Sequence, residues 1–260
     1  MTGTVVVGIA DTHIGSDSAL SLPEFTLDSG QLLKANMNQE AIWACWGDFW
    51  QYVTKLRKGK RLIIIHLGDM IDGDHHNTVQ SLKNVDDQRN MAQAIFKPLV
   101  DLCDGAFYTF RGTPAHGKGA SQDEVDVCRE IGAQVPQWRT MFDIDGVTID
   151  CSHHGRAGGR PWTTAAANIA AEVVIQCASR KQDLPMWIWR AHNHTIDDSG
   201  EKVAGTRCLC FPSWQLKTEI GYRWFANKIS DIGGFILNDG ALDASRARYP
   251  IYLERKTIKI

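Results

Sequence analysis

Residues 4–13 read TVVVGIADTH, an apolar run that ends in an Asp-x-His pair. Residues 61–72 show the same arrangement as RLIIIHLGDMID, in which an apolar run leads into a Gly-Asp-x-x-Asp segment. Short runs that are rich in β-branched residues and end at glycine or charged residues predict buried strands. These two stretches decide the fold, because each predicts a buried strand with carboxylate or imidazole side chains at its end.

Further elements follow along the chain in alternation. Strands are predicted over residues 106–110, 147–151, 186–190 and 203–211. Helical spacing places apolar side chains on one face of two other segments, Ile42 to Val53 and Ile169 to Cys177. Alternating strands and helices favour an α/β protein built in layers.

The remaining segments bear on domain organisation. Residues 15–38 have no clean period and predict an irregular excursion between the first strand and the first helix. The last third is rich in turns, at residues 231–234 and 238–240, and ends in a predicted strand over residues 251–260, so we expect a second sheet there. No repeat or linker divides the chain, which favours a single domain over residues 1–260.

Composition excludes several classes of protein. With 43% hydrophobic residues, 22% charged residues and a net charge of −2, the chain is typical of a globular protein without a global cationic field. Seven cysteines, an odd number scattered in apolar context, predict reduced thiols rather than a disulfide framework. No run is long enough for a membrane span and no secretory signal begins the sequence, so we expect a cytoplasmic protein without a membrane partner.

All nine histidines lie at or just beyond the ends of predicted strands, where α/β sheets bind ligands. Asp-x-His and His-x-His place two side chains on the same side of an extended segment. Imidazole and carboxylate ligands together suit Mn, Fe, Zn or Ni better than calcium. A dinuclear transition-metal site is therefore predicted from the clusters around Asp11 and His13, His66 to His76, His116, His153 and His154, and His192 and His194.

In chain order, these clusters resemble the five motifs of the calcineurin-like metallophosphoesterases: D-x-H, G-D-x-x-D, G-N-H-[DE], a histidine before glycine, and G-H-x-H. They stand here as Asp11-Thr-His13, Gly68-Asp69-Met-Ile-Asp72, Gly112-Thr-Pro-Ala-His116, His154-Gly155 and Ala191-His192-Asn-His194. The resemblance covers about residues 5 to 195 and implies a two-sheet β-sandwich flanked by helices. Two departures stand out, because Ala191 replaces a glycine and the third motif lacks its asparagine and carries its histidine two residues late.

The resemblance also implies the ligands of two divalent metal ions, Mn first and Fe, Zn or Ni as alternatives. Asp11, His13 and His194 would bind one ion, His154 and His192 the other, and Asp69 would bridge them. Whether His153 takes the place of His154 is left open. His116 would be the catalytic general acid or, alternatively, a ligand in place of the missing asparagine.

The implied activity is hydrolysis of phosphate esters by a metal-activated water. The resemblance to nuclease and phosphodiesterase branches, including forms carried by phages, favours phosphodiesters such as nucleotides or nucleic acids. Arg111, Arg156 and Arg190 lie beside motif residues, where a guanidinium group can pair with phosphate oxygens. A phosphomonoesterase or protein phosphatase of the same fold, or a non-catalytic metal-binding relative, is the alternative. The sequence predicts no oligomeric state.

Overall fold

The computed structural model describes residues 3–74, 79–114, 122–155, 164–201, 203–218, 221 and 229–251. Its helices are α1 (Met37–Leu56), α2 (Val85–Leu102), α3 (Gln122–Ile131) and α4 (Ala165–Arg180). Its strands are β1 (Thr4–Ile9), β2 (Glu24–Thr26), β3 (Leu32–Lys34), β4 (Arg61–His66), β5 (Phe107–Thr109), β6 (Arg139–Ile144), β7 (Val147–Ser152), β8 (Trp187–Arg190), β9 (Asp197–Asp198), β10 (Arg207–Cys210), β11 (Phe235–Asn238) and β12 (Ala241–Asp243).

The first of two five-stranded sheets has the order β12-β11-β1-β4-β5. Strands β1, β4 and β5 run parallel, and β11 pairs antiparallel with β1. Every residue of β1 is buried, as expected for a central strand covered on both faces. Helix α1 begins with a capping box between Asn36 and Gln39 and covers this sheet through apolar residues three or four apart, namely Ile42, Trp46, Phe49, Trp50 and Val53.

The second sheet has the order β6-β7-β8-β10-β9. Helix α4 packs on its outer face, where Ile169, Val173 and Cys177 contact a cluster that includes Ile188 and Cys208. The inner face meets the first sheet across a shared core, whose rings include Trp189, Phe211 and Phe235. Helices therefore flank a sandwich of two sheets, which confirms the fold class expected from the motifs.

The second sheet expected in the last third is confirmed only in part, because its described strands are divided between the two sheets. Strand β10 joins β8 in the second sheet, while β11 and β12 form a hairpin that extends the first. The hairpin turns at Asp239 and Gly240, whose φ angles of 51° and 82° match a tight turn between antiparallel strands. The predicted terminal strand lies almost wholly outside the described residues.

Three other expectations can be compared with the structure. The irregular excursion over residues 15–38 contains the short hairpin of β2 and β3. The strand predicted over residues 203–211 begins only at Arg207, because Ala204 and Gly205 form a turn with positive φ angles of 53° and 80°.

All seven cysteines are free, as predicted. Among the described residues, no helix has both the length and the apolar character needed to cross a membrane.

Candidate metal centre

The loops that follow β1 and β4 are joined backbone to backbone. The Asp11 N–H donates to the Gly68 carbonyl and the His13 N–H to the Asp69 carbonyl, each at 3.0 Å. His66 lies beneath them, fully buried, and its Nδ1 accepts a hydrogen bond from the Gly68 N–H at 3.2 Å. Burial lowers the pKa of His66 to about 3, so this imidazole is neutral and supports the loops rather than carrying a charge.

Strained backbone is concentrated in this region. Five of the six predicted metal ligands have left-handed φ angles: 50° at Asp11, 39° at His13, 53° at Asp69, 71° at His192 and 54° at His194. Such conformations cost a non-glycine residue on the order of 1–3 kcal/mol and persist where surrounding contacts enforce them, often at functional sites. The strand ends are therefore shaped to aim these side chains at one another.

The first group of ligand atoms comes from Asp11, His13 and His194, all within 4.8 Å of one another. His13 Nε2 lies 3.2 Å from His194 Nε2, and Asp11 Oδ1 lies 3.3 Å from the same nitrogen. The other ring nitrogen of His13, Nδ1, lies 3.3 Å from Asp72 Oδ1. A carboxylate behind an imidazole in this way orients the ring for a metal.

The surroundings of Asp11 Oδ1 indicate whether a cation fits among these ligand atoms. The atom is buried, and within the described part of the chain no hydrogen bond to it is found. A buried carboxylate oxygen without a donor calls for an ion or a proton. Burial would raise the pKa of Asp11, but the charge and close contact of His194, together with the charge of His153, hold this pKa well below its usual range. The carboxylate is therefore ionised, and a cation fits it better than a proton.

The second group centres on Asp69 and His153. His153 Nε2 lies 3.0 Å from Asp69 Oδ2, and its Nδ1 lies 2.7 Å from the Leu67 carbonyl oxygen, to which it donates. Burial alone would lower the pKa of His153, but the charge and hydrogen bond of Asp69, together with the Asp11 charge and the Leu67 carbonyl, outweigh burial and raise the pKa to about 9. His153 is buried, whereas the neighbouring His154 is exposed.

His154 still lies close to the second group. One ligand atom each of His153, His154 and His192 fall within 4.8 Å of one another, and the His154 and His192 ring centroids are 4.7 Å apart. Burial lowers the pKa of His192 to about 4 and also lowers that of His154. Both rings are therefore neutral near pH 7, the state in which imidazole binds a metal.

Thr113 lies at the point where the second group converges. Its Oγ1 is 2.9 Å from Asp69 Oδ2, 3.3 Å from His153 Nε2 and 3.1 Å from His192 Nδ1. This is the place in the third motif where an asparagine is absent. Gly112 permits the approach, because a Cβ there would lie 2.0 Å from Asp69 Oδ1.

Glu124, in the first turn of α3, ties the two central loops together from below. Its Oε1 accepts a hydrogen bond from the Met70 N–H at 2.8 Å, and its Oε2 accepts one from the Gly112 N–H at 3.0 Å. Burial, with the nearby Asp69 charge, raises the pKa of Glu124 to about 7. Sequence analysis missed this residue, since an acid in the first turn of a helix is common and carries no motif.

The structure thus brings Asp11, His13, Asp69, His154, His192 and His194 together and adds His153 and Thr113 beside them. The predicted substrate-binding arginines differ: Arg111 lies over the Trp138 ring at 5.4 Å, while Arg190 is buried and donates to the Asp150 side chain. That pair places Arg190 within the second sheet rather than among the ligands. His75, His76, His116 and Arg156 lie outside the described residues.

No protein-family model matches the sequence, and no curated protein matches it significantly. Similar solved structures include an archaeal phosphodiesterase at 9% identity, covering 90% of this chain and 92% of that chain with a TM-score of 0.44. Vps29 of Entamoeba histolytica, complexed with zinc, is 10% identical, with 92% and 88% covered and a TM-score of 0.43. A Sphaerobacter thermophilus metallophosphoesterase is 11% identical, with 92% and 85% covered and a TM-score of 0.41.

Proposed function

We propose that this chain is a metal-dependent phosphoesterase of the calcineurin-like type that hydrolyses phosphodiesters. The observation that carries the proposal is the convergence of carboxylates and imidazoles from four strand ends around the buried Asp11 Oδ1, which lacks a hydrogen-bond donor among the described residues. A ligand set of mixed imidazole and carboxylate, with its outer nitrogens and oxygens held by neighbours, is typical of transition-metal sites.

Two divalent ions are assigned to this centre. Asp11, His13 and His194 would hold the first, and Asp69 would bridge to the second. Mn is the first expectation, and Fe, Zn and Ni accept the same donors. When bound, such ions neutralise charge on phosphate oxygens and lower the pKa of water towards about 7.

For the second ion, we assign His192 and His153. His153 has the geometry of a ligand held from behind, because its Nδ1 donates to the Leu67 carbonyl and its Nε2 faces Asp69 Oδ2. His154, which is exposed as His192 also is, remains the alternative that the motif implies. Thr113 places a hydroxyl among the same atoms and would position a ligand or a substrate oxygen there.

The remaining residues have roles in orienting groups and moving protons. Asp72 holds the His13 ring, and Glu124 holds the two loops at a fixed separation. Arg111, at the edge of the centre, offers a guanidinium group to non-bridging phosphate oxygens. His116 is proposed as the general acid that protonates the leaving alkoxide, since its ordinary pKa lies near neutrality.

The proposal is tested by removing and restoring metal. After chelation and dialysis, hydrolysis of bis-p-nitrophenyl phosphate should vanish and return with Mn or another transition metal. A higher kcat/KM on this diester than on p-nitrophenyl phosphate supports a phosphodiesterase, and the reverse order supports the monoesterase or protein phosphatase alternative. Full activity in protein shown to be metal-free would overturn the proposal, and two bound ions without hydrolysis of either ester would indicate a non-catalytic relative.

A further inference from the structure

A cavity of about 330 Å³ opens beside the metal centre on the outer side of the second sheet. Arg111 and His154 line the end that adjoins the centre, and Trp138, Arg139 and Gln176 line the rest. This volume falls within the range of about 300–1,000 Å³ that is typical of small-molecule sites. The cavity therefore has room for one substrate group next to the reacting phosphate.

A second cavity, of about 570 Å³, continues from the first. The two share Arg139 and Gln176 as lining residues, and the second extends to Arg180 and Lys181 at the end of α4. Together they form a groove between the edge strand β6 and helix α4, which we call the β6–α4 groove. A single small ester would occupy only its first part, so its length suits a polymeric substrate.

The lining of this groove carries more positive than negative groups. Its lining includes five guanidinium or ammonium groups, from Arg111, Arg139, Arg180, Lys181 and Arg190, against three carboxylates from Asp150, Glu172 and Asp183. Asp150 itself is buried and bound by Arg139 and Arg190. The groove thus carries an excess of positive charge on a chain whose net charge is −2. Local positive charge of this kind attracts a phosphate backbone.

Trp138 supplies an aromatic surface in the same groove. Its side chain keeps 54% of its surface exposed even though the Arg111 guanidinium lies over the ring at 5.4 Å. Tryptophan exposed in this way is a typical stacking platform for unpaired bases, each worth about 1–3 kcal/mol. Paired bases in a duplex present no free face, so the ring favours a single strand.

We propose that the β6–α4 groove binds single-stranded nucleic acid on one side of the scissile phosphodiester. A nucleobase stacks on Trp138, and the phosphates beyond it follow Arg139 towards Arg180 and Lys181. This inference rests on the proposed phosphodiesterase function and names its substrate class. It also assigns Trp138 a role in binding substrate that no motif in the sequence indicates.

Binding is measured by fluorescence anisotropy on the metal-loaded protein with a labelled phosphorothioate oligothymidylate, which resists cleavage. Trp138→Ala should weaken binding by about 5- to 150-fold, the range that one stacked base accounts for, while Trp138→Phe should retain most of the affinity. The double variant Arg180→Ala/Lys181→Ala should lower the salt dependence by about 1.4 in log–log slope, whereas a control, Lys55→Ala/Lys58→Ala, should not.

Hydrolysis of bis-p-nitrophenyl phosphate separates this inference from the proposed function. Trp138→Ala should lower kcat/KM on an oligothymidylate at least about fivefold more than on this small diester, because only the oligonucleotide extends into the groove and stacks on the ring. If the wild type binds the oligonucleotide through Trp138 but hydrolyses nothing, the groove stands and the proposed activity fails. Absence of oligonucleotide binding, equal affinity of wild type and Trp138→Ala, or tighter binding of duplex than of single strand would overturn the inference.

Discussion

His153 Nε2 lies 3.0 Å from Asp69 Oδ2 in the candidate metal centre, while the next residue along the chain, His154, is exposed. The Leu67 carbonyl accepts a hydrogen bond from the opposite ring nitrogen of His153 and fixes the ring in this orientation. The family motif points to the histidine directly before Gly155. The tertiary contacts instead favour His153 as the proposed ligand.

This relationship predicts different outcomes for two adjacent substitutions. His153→Ala should lose one metal ion per chain and most of the activity, because it removes a ligand that is held in place by its neighbours. His154→Ala should keep two ions and lose less. Metal analysis by mass spectrometry, together with diester hydrolysis, measures both effects. Loss of an ion in His154→Ala alone would return the ligand role to His154.

A second prediction compares two carboxylates of the Gly-Asp-x-x-Asp segment. Asp69→Asn should reduce kcat more than Asp72→Asn, because Asp69 is assigned to bridge both ions, whereas Asp72 acts through the His13 ring. Removing a carboxylate that orients a metal-binding imidazole costs about 10- to 100-fold in activity or metal affinity. Steady-state kinetics with saturating metal tests the order. Equal and mild losses in both variants would mean that the bridge is misassigned.

Metal binding should depend on pH. Against the effect of burial, Asp69 together with Asp11 and the Leu67 carbonyl raises the pKa of His153 to about 9 in the metal-free protein, and a metal ligand must be deprotonated. Binding of the second ion should therefore release about one proton below pH 9, so that its apparent affinity rises about tenfold per pH unit between pH 6.5 and 8.5. Calorimetry in two buffers of different ionisation enthalpy measures the proton release, and a pH-independent affinity would contradict the assignment.

The same pKa shift predicts how the stability of the metal-free protein depends on pH. Because the folded pKa of His153 lies above the ordinary value of 6.5, its charged pair with Asp69 stabilises the protein fully below about pH 6.5. That contribution is lost as the pH rises through about 9. Urea denaturation of chelated protein should show this loss in the wild type and not in His153→Ala. Parallel pH profiles in the two proteins would argue against the pair.

The buried pair of Asp150 and Arg190 predicts a stability effect apart from the metal centre. Asp150→Asn should lower the free energy of unfolding by about 3–5 kcal/mol, since it leaves the Arg190 guanidinium buried without its carboxylate partner. Arg139→Ala, which removes a partner with 45% exposure, should have a smaller effect. Chemical denaturation measures both, and a larger loss in Arg139→Ala would contradict the argument.

The difference in the free energy of unfolding between the wild type and Asp150→Asn should also depend on pH. Burial raises the pKa of Asp150, but hydrogen bonds from Arg139 and the charge of Arg190 outweigh it, so the folded pKa lies below the ordinary 3.8. The pair therefore stabilises the protein above that value, and its contribution is lost as the pH falls through the folded pKa. The wild type and the variant should converge in acid.

The role of His116 is tested by changing the leaving group of the substrate. As a general acid, its replacement by alanine should keep both metal ions and slow hydrolysis of an alkyl phosphodiester by about 10²- to 10⁴-fold. The loss should be much smaller when the leaving group is p-nitrophenolate, which scarcely needs a proton. Uniform loss on both esters, together with one ion per chain, would show that His116 is a ligand.

Local sequence was sufficient to predict most of the residues that form the candidate metal centre. Short apolar runs predict β1, β4, β7 and β8, because a strand buried on both faces needs apolar side chains throughout. The residues that follow such runs lie at the edge of the sheet. Asp11, His13, Asp69, His192 and His194, the proposed ligands at these strand ends, lie close together in the structure. Their order along the chain was enough for the resemblance, and with it for the layered fold.

Only the tertiary structure shows which way a side chain points and which partner it meets. In β8, alternation sends Trp189 into the core between the sheets and Arg190 to the outer face, where Asp150 lies on the neighbouring strand. No property of Arg190 itself reveals that partner. The preference for His153 over His154 likewise depends on the Leu67 carbonyl, 86 positions away along the chain.

The contacts between segments that are distant along the chain could not be predicted from the sequence either. Glu124 meets the amides of Met70 and Gly112, and Trp138 enters a groove with Arg180, only because the folded sheets bring them together. The β11–β12 hairpin has ordinary strand and turn signals, yet it pairs with β1 rather than within a sheet of its own. Local propensity specifies an element, whereas its partner is set by the burial and hydrogen bonding that the whole chain gains when its layers assemble.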